Sequence, residues 1–430
     1  NNNENLSTTT KIVIDDSVTN IGDYAFSYCS GVTNITISDS VTNIGQWAFR
    51  NCSELTSIII PDHVTSIEMG TFNGCNKLTS AAIGNSVENI ATGAFYQCSG
   101  LTSVTLPNSL KNIGSMAFGS CSQLTSVIIP DSVTSIGSSA FQGCSGLTSL
   151  TIGNSVTSIS SGTFNGCTSI TSIKIPKSVT SIGSQAFVGC NGLTSIVVDE
   201  NNTVYDSREN CNAIIEKSSN KLIQGCNVSI ILDSVTSIGE AAFSGYRGLT
   251  SIGTVGSGAS LEIPSSVTSI GSIAFNGCIN LTSVTISDSV INIGARPFNG
   301  CSSLESIKVD ENNTVYNSKD NCNAIIKTST NNLIQGCQNT IIPESVTSIS
   351  DWAFCGASGL MSITIPEKVK TIGKGAFAEC RGLTSITIPD LVTTIASNAF
   401  ANCENLTTIY YKGTATGAPW GAPSATVVTE

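Results

Sequence analysis

The residues of this 430-residue chain best suited to chemistry are its seventeen cysteines and one histidine. Clustered Cys, His and carboxylate side chains hold metals, and a Cys or Ser beside a His makes a nucleophile. The spacing here supports neither. His63 lies in the turn PDHV at 61–64, where most comparable segments carry Ser, and no spacing brings a nucleophile to it. It reads as a solvated turn residue. The sequence has no G-x-x-x-x-G-K-[ST], H-E-x-x-H or G-x-S-x-G motif, so phosphate cradling, zinc proteolysis and serine hydrolysis have no anchor, and no catalytic residue is assigned.

Twelve cysteines share one recurring position: Cys29, Cys52, Cys75, Cys98, Cys121, Cys144, Cys167, Cys190, Cys278, Cys301, Cys380 and Cys403. The equivalent places elsewhere hold Tyr246 and Ala357, which marks a packing position rather than an obligatory crosslink. Adjacent strands about 4.8 Å apart set such Cβ atoms beyond the usual disulfide separation of about 3.5–4.5 Å. A one-sided row also cannot converge tetrahedrally on zinc. The expectation is a ladder of buried thiols with no metal and no cofactor. Carboxylates recur too, at Asp39, Asp62, Asp131, Asp288, Glu367 and Asp390, alternating with Asn85, Asn108 and Asn154. Asp and Asn both accept from nearby backbone N–H groups, so an Asx-turn role is expected. A calcium ladder would need several oxygens converging in one site.

These spacings come from a repeat. Phenylalanine falls at 26, 49, 72, 95, 118, 141, 164 and 187, at one constant interval, and resumes at 243, 275, 298, 354, 377 and 400. Those are all fourteen Phe of the chain. Within one unit LTSLTI has apolar residues at its first, fourth and sixth positions, a strand pattern. Pro, Asp, Asn, Gly and Ser then make a turn, VTSIG returns as a short extended segment, and AFxGC closes the coil by a tight helical or looped turn. A 23-residue coil with about seven inward side chains cannot offset its own ordering entropy, so coils must stack. Fourteen layers at strand spacing predict a length on the order of 70 Å.

The unit IPDSVTSIGSSAFQGCSGLTSLTI (129–152) resembles the BspA-type leucine-rich repeat of bacterial and protist surface proteins. The likeness covers about 11–411. It implies a leucine-rich-repeat solenoid, a right-handed superhelix rich in short parallel strands. It further implies a secreted or cell-surface location and adhesion to host or microbial proteins or glycans, without catalysis.

Two near-identical insertions, 199–226 and 310–337, break the period. Their separation equals that of the units around them, as in a duplicated larger block. Each reads as a β-hairpin, with residues 211–216 and 221–226 flanking the turn 217–220 in the first. A symmetric turn would set Cys211 opposite Cys226 and Cys322 opposite Cys337, with Ala213, Ile215 and Leu222 on the face toward the solenoid. Their disulfide state is left open. GTVGSGASL (253–261) reads as a bulge, residues 1–10 as a polar linker, and 412–430 as a cap or tail in which Tyr410, Tyr411 and Trp420 cover the last core layer.

Charge narrows the partners. Charged residues make up 11% of the chain, against about 25% in soluble proteins, and the net charge is −11. That excludes nucleic acid, which demands clustered Lys and Arg, and disfavours anionic lipid. No apolar run reaches the roughly 18–20 residues of a membrane span, and no signal peptide is visible. The remaining candidate is a binding surface. Ser149 and Thr151 should face outward in rows of hydroxyls, either a contact surface or a solvated strand face, with altered chemistry at Lys174 and Lys308; Tyr24, Trp47 and Trp352 share one repeat position, which suits local packing or an interface. A monomer is expected, with side-by-side self-association into a structural element as the alternative.

Overall fold

The structure, a computed structural model, describes residues 9–249 and 260–429; most of the bulge at 253–261 and most of the polar stretch at 1–10 lie outside them. The chain forms two compact units, Asn1–Asn210 and Cys211–Glu430. Both are stacks of short coils joined by parallel strands, a leucine-rich-repeat β-solenoid with almost no helix.

In the first unit, seven strands from Lys11–Ile14 to Ser149–Thr151 pair in parallel, each with the strand one repeat on. The VTSIG segments form a second parallel sheet of six strands, from Ser66–Ile67 to Ser181–Ile182. Register follows the repeat: Ser126 pairs Ser149, and Ser135 pairs Ser158. Alternation turns Val127 inward and Ile128 outward, as period-two geometry requires.

The third side is looped rather than helical. Met116, Phe118 and Ser120 donate their N–H groups to Ser138, Ala140 and Gln142 of the next coil at 3.0, 2.8 and 2.7 Å. Between them Gly119 and Cys121 close three-residue turns onto Met116 and Phe118. Continuous helix is barred because Met116 and Ser120 take φ of 54° and 61°, a left-handed conformation held by Gly70 and Gly74 in an earlier coil.

Inside, Phe26 through Phe187 stack with ring centroids 5.2 to 5.6 Å apart. From Phe49 onward these rings are fully buried, each contributing roughly 1.5–3 kcal/mol of apolar burial. Leu, Val, Ile and Cys of each coil complete the core.

In the second unit the insertion at 310–337 substitutes for a coil. Tyr316–Asn317, Ala324–Lys327 and Asn332–Gly336 form an antiparallel meander, and its last strand pairs in parallel with Ser348–Ile349. The hairpin Ile214–Glu216 with Lys221–Gln224 repeats the design and pairs with Ser237–Ile238. Ala213, Ile215 and Leu222 are buried as expected, but so is Ile214. A β-bulge shifts the register so that Ala324 opposes Gly336. The extra residue moves Cys337 beside Asn323, with Sγ 3.4 Å from its carbonyl oxygen, and Cys226 likewise beside Asn212. The symmetric pairing of Cys211 with Cys226 and of Cys322 with Cys337 is therefore corrected by one residue. Gly336 is required because a Cβ there would overlap the ring of Phe354.

A third strand in the insertion was hidden in the polar run DENNTVY. Asn313 is 8% exposed and fully satisfied: Nδ2 donates to Ser287 and Val290 at 2.9 Å, and Oδ1 accepts from Val315 and Tyr316 at 2.9 and 2.8 Å. The hydroxyl of Tyr316 accepts from Ile293 N–H at 3.0 Å. At the C-terminal end Thr426–Val428 adds in parallel to Thr408–Tyr410, while Tyr411 and Trp420 are buried edge to face at 5.5 Å. Tyr410 remains 45% exposed.

Candidate binding surface

The strand sheet of the first unit presents its outward side chains in straight rows. Ser149 and Thr151 are exposed, and their hydroxyls make no hydrogen bond among the described residues. The row through Thr151 reads Val13, Thr36, Ile59, Ala82, Thr105, Ile128 and Thr151 on successive strands. The neighbouring Thr column is different: Thr102, Thr125 and Thr148 donate their hydroxyls to the carbonyl one coil back, each at 3.1 Å. Those hydroxyls clamp the stack. Lys174 is exposed and pairs with Asp199 at 3.3 Å, whereas Lys308 is exposed without an ion pair among the described residues.

The aromatic candidates divide between the units. Tyr24 is 55% exposed. Trp47, in the next coil, is half-buried and lies flat on Gly70, where a Cβ would overlap the indole. The Arg50 guanidinium stacks 5.0 Å from Trp47 and 5.3 Å from Tyr28, an attractive cation–π arrangement. In the second unit Trp352 likewise covers Gly375, and Arg296 sits 4.4 Å above its ring. These two border a groove of about 640 Å³ with Ser348, Asp351 and Thr371. Each Trp is thus a packing residue on one face. Sequence reasoning missed Arg50, Tyr28 and Arg296. The signal for the packing was a Gly one repeat after each Trp, at Gly70 and Gly375. Arg296 gave none, because an insertion separates it from Trp352 along the chain.

The remaining chemical candidates are structural. Each thiol of the ladder after the first coil donates to the Phe carbonyl of the preceding coil, as Cys121 does to Phe95 at 3.2 Å and Cys144 to Phe118 at 3.1 Å. All seventeen cysteines are free and buried. Burial pushes Cys52, Cys144 and Cys190 up to about 12, because a thiolate loses its solvation there. Two of the turn carboxylates act across coils: Asp62 and Asp131 accept from the backbone N–H of Asn85 and Asn154, both at 2.7 Å, whereas Asp288 accepts within its own turn from the Ser289 hydroxyl at 3.1 Å. Stacking brings the next coil's N–H nearer than the local one. Own-turn bonding occurs instead at Asp15, Asp199 and Asp310. His63 is exposed, its Nδ1 2.9 Å from the Asp39 carbonyl oxygen. Among the described residues no group of three or more Cys, His, Asp or Glu could hold a metal, and no helix is long and apolar enough to cross a membrane.

A cleft of about 760 Å³ lies against the second insertion, lined almost wholly by polar side chains including Lys308, Asn317 and Lys319.

Comparison with solved structures agrees with this architecture. A leucine-rich cell surface protein from Faecalibacterium prausnitzii A2-165 is 29% identical over 95% of this chain and 89% of its own, with a TM-score of 0.52. A leucine-rich repeat protein from Eubacterium ventriosum ATCC 27560 shares 23% identity over 81% of this chain and 83% of its own, with a TM-score of 0.51, a likeness of fold. No curated protein matches the chain. The model of the BspA-type leucine-rich repeat region matches residues 3–125, 88–215, 213–319 and 325–421. With nearly every coil matched, the chain belongs to the BspA-type leucine-rich repeat family.

Proposed function

We propose that this chain is a non-catalytic, extracellular adhesion protein whose repeat surface engages host or microbial proteins or glycans. One observation carries the reading: coil by coil the interior is constant while the outward row changes. Phe, Cys and Leu recur inside, yet the exposed position runs Val13, Thr36, Ile59, Ala82, Thr105, Ile128 and Thr151. A fixed frame with a varied face is the arrangement that recognition needs, since solenoids bind through extended surfaces. The likeness to a bacterial cell surface protein supports the location.

The test is binding of the purified chain to immobilised extracellular-matrix proteins, mucin and a glycan panel at two salt concentrations. Saturable binding to at least one surface is expected, with modest salt dependence because the face carries little charge. No binding, together with light scattering that grows with concentration, would replace adhesion by self-assembly.

A further inference from the structure

Residues 199–226 and 310–337 are two copies of one 28-residue segment that differ at seven positions. The identical positions include the buried ones, such as Asn313, Tyr316 and Leu333. Four of the seven differences, Asn317, Lys319, Asp320 and Thr328, line the 760 Å³ cleft. The copies have therefore kept one frame and changed this place.

The change has a definite chemistry. In the first copy Asp206 and Arg208 close on each other, with Nε to Oδ1 and a terminal guanidinium nitrogen to Oδ2 both at 2.9 Å. In the second copy the same positions are Asn317 and Lys319. Asn317 turns to Thr328, donating to its hydroxyl at 3.0 Å, and Lys319 forms no ion pair among the described residues. Lys308 stands where the first copy has Val197, and it too is unpaired among the described residues.

The cleft volume falls within the 300–1,000 Å³ of small-molecule sites, but its lining differs from the usual apolar one. Val309 is its one apolar residue and it has no aromatic ring. Its lining carries Lys308 and Lys319 together with Asp310, Glu311 and Asp320, so neither a polyanion nor a polycation is matched. A ligand that fills it must offer donors and acceptors together along its length. Hydroxyl groups do both. We propose that this cleft binds a short neutral oligosaccharide, and that in the first copy the Asp206–Arg208 ion pair ties up the side chains that would serve it. This rests on the reading of the chain as a binding protein and names one ligand class for it.

The test is calorimetric titration of the intact chain with neutral oligosaccharides of two to four hexose or N-acetylhexosamine units. The comparison is a chain carrying Lys308→Val, Asn317→Asp and Lys319→Arg, which rebuilds the first copy's residues on a backbone already known to hold them. The intact chain should bind at one site, and the variant should lose roughly tenfold or more in affinity with an unchanged melting curve. Failure of every neutral sugar, binding confined to acidic sugars, or equal affinity in the variant would each overturn the proposal. Mucin or matrix binding retained alongside such a failure would leave the adhesin reading standing.

Discussion

The cysteine ladder ties the chemistry of single residues to the stability of the stack. A buried thiol that donates to the preceding Phe carbonyl fills space and joins two coils at once; the neutral residues at the same place, Tyr246 and Ala357, are buried too, but Ala357 keeps only the filling. The thiol proton matters. Folded Cys52, Cys144 and Cys190 hold theirs up to about 12, against 9.0 for the free group. Above pH 9 the unfolded chain therefore releases protons that the folded chain keeps. The stabilisation is complete below pH 9 and is lost as pH climbs toward 12. Urea midpoints should stay level from about pH 6.5 to 8.5 and fall steadily above 9.5, less steeply in Cys144→Ala. A midpoint indifferent to pH would remove this account. Thiol reagent should find the native chain unreactive at pH 8 and all seventeen cysteines in denaturant. The burial of the row was legible from its single repeat position. Its acceptor was not, because a backbone carbonyl in the preceding coil leaves no mark on side-chain spacing.

At the scale of elements, the insertions show where sequence pattern stops informing. The hairpin arms stood out as short apolar runs around a polar turn. The bulge did not, since the apolar runs read the same with or without one unpaired residue. Nor did the third strand, because Asn313 looks like a surface residue until its four partners are assembled. Asn313→Ala should cost about 2–4 kcal/mol by stranding two carbonyls and two N–H groups. Asn313→Asp should cost more, since it turns a carboxylate oxygen toward the carbonyls of Ser287 and Val290. Urea unfolding of both variants checks the order. An Asp variant as stable as the Ala variant would show that the Nδ2 donors are dispensable. The same limit hid the cross-coil carboxylate bonds: local turn rules point to the nearest N–H in sequence, and stacking offers a nearer one in space.

At the scale of the whole molecule, the constant Phe interval pointed to the solenoid and its family at once, because interior side chains of a stack must repeat. The binding face was less legible. Outward positions obey no packing rule, so a sequence shows that they vary without showing which of them act together. Nearest-neighbour stacking also predicts a gradient of protection. Phe26 is half-buried with one ring partner, whereas Phe118 is buried between two. Hydrogen exchange should be faster in residues 12–29 than in residues 113–121 by at least roughly tenfold. Uniform exchange would mean that the first unit opens only as a whole.

The direction of the inter-coil hydrogen bonds bears on how long such a stack can grow. Met116, Phe118 and Ser120 give their protons to the following coil, while Lys111, Gly114 and Thr125 give theirs to the preceding one. Opposed peptide dipoles largely cancel, in contrast to an α-helix, where they add and leave partial charge at both ends. Little electrical polarity accumulates along such a stack, and the middle of a long array differs little in this from that of a short one. Gaining or losing one repeat unit by duplication therefore alters reach and surface while hardly altering the electrostatics of the frame.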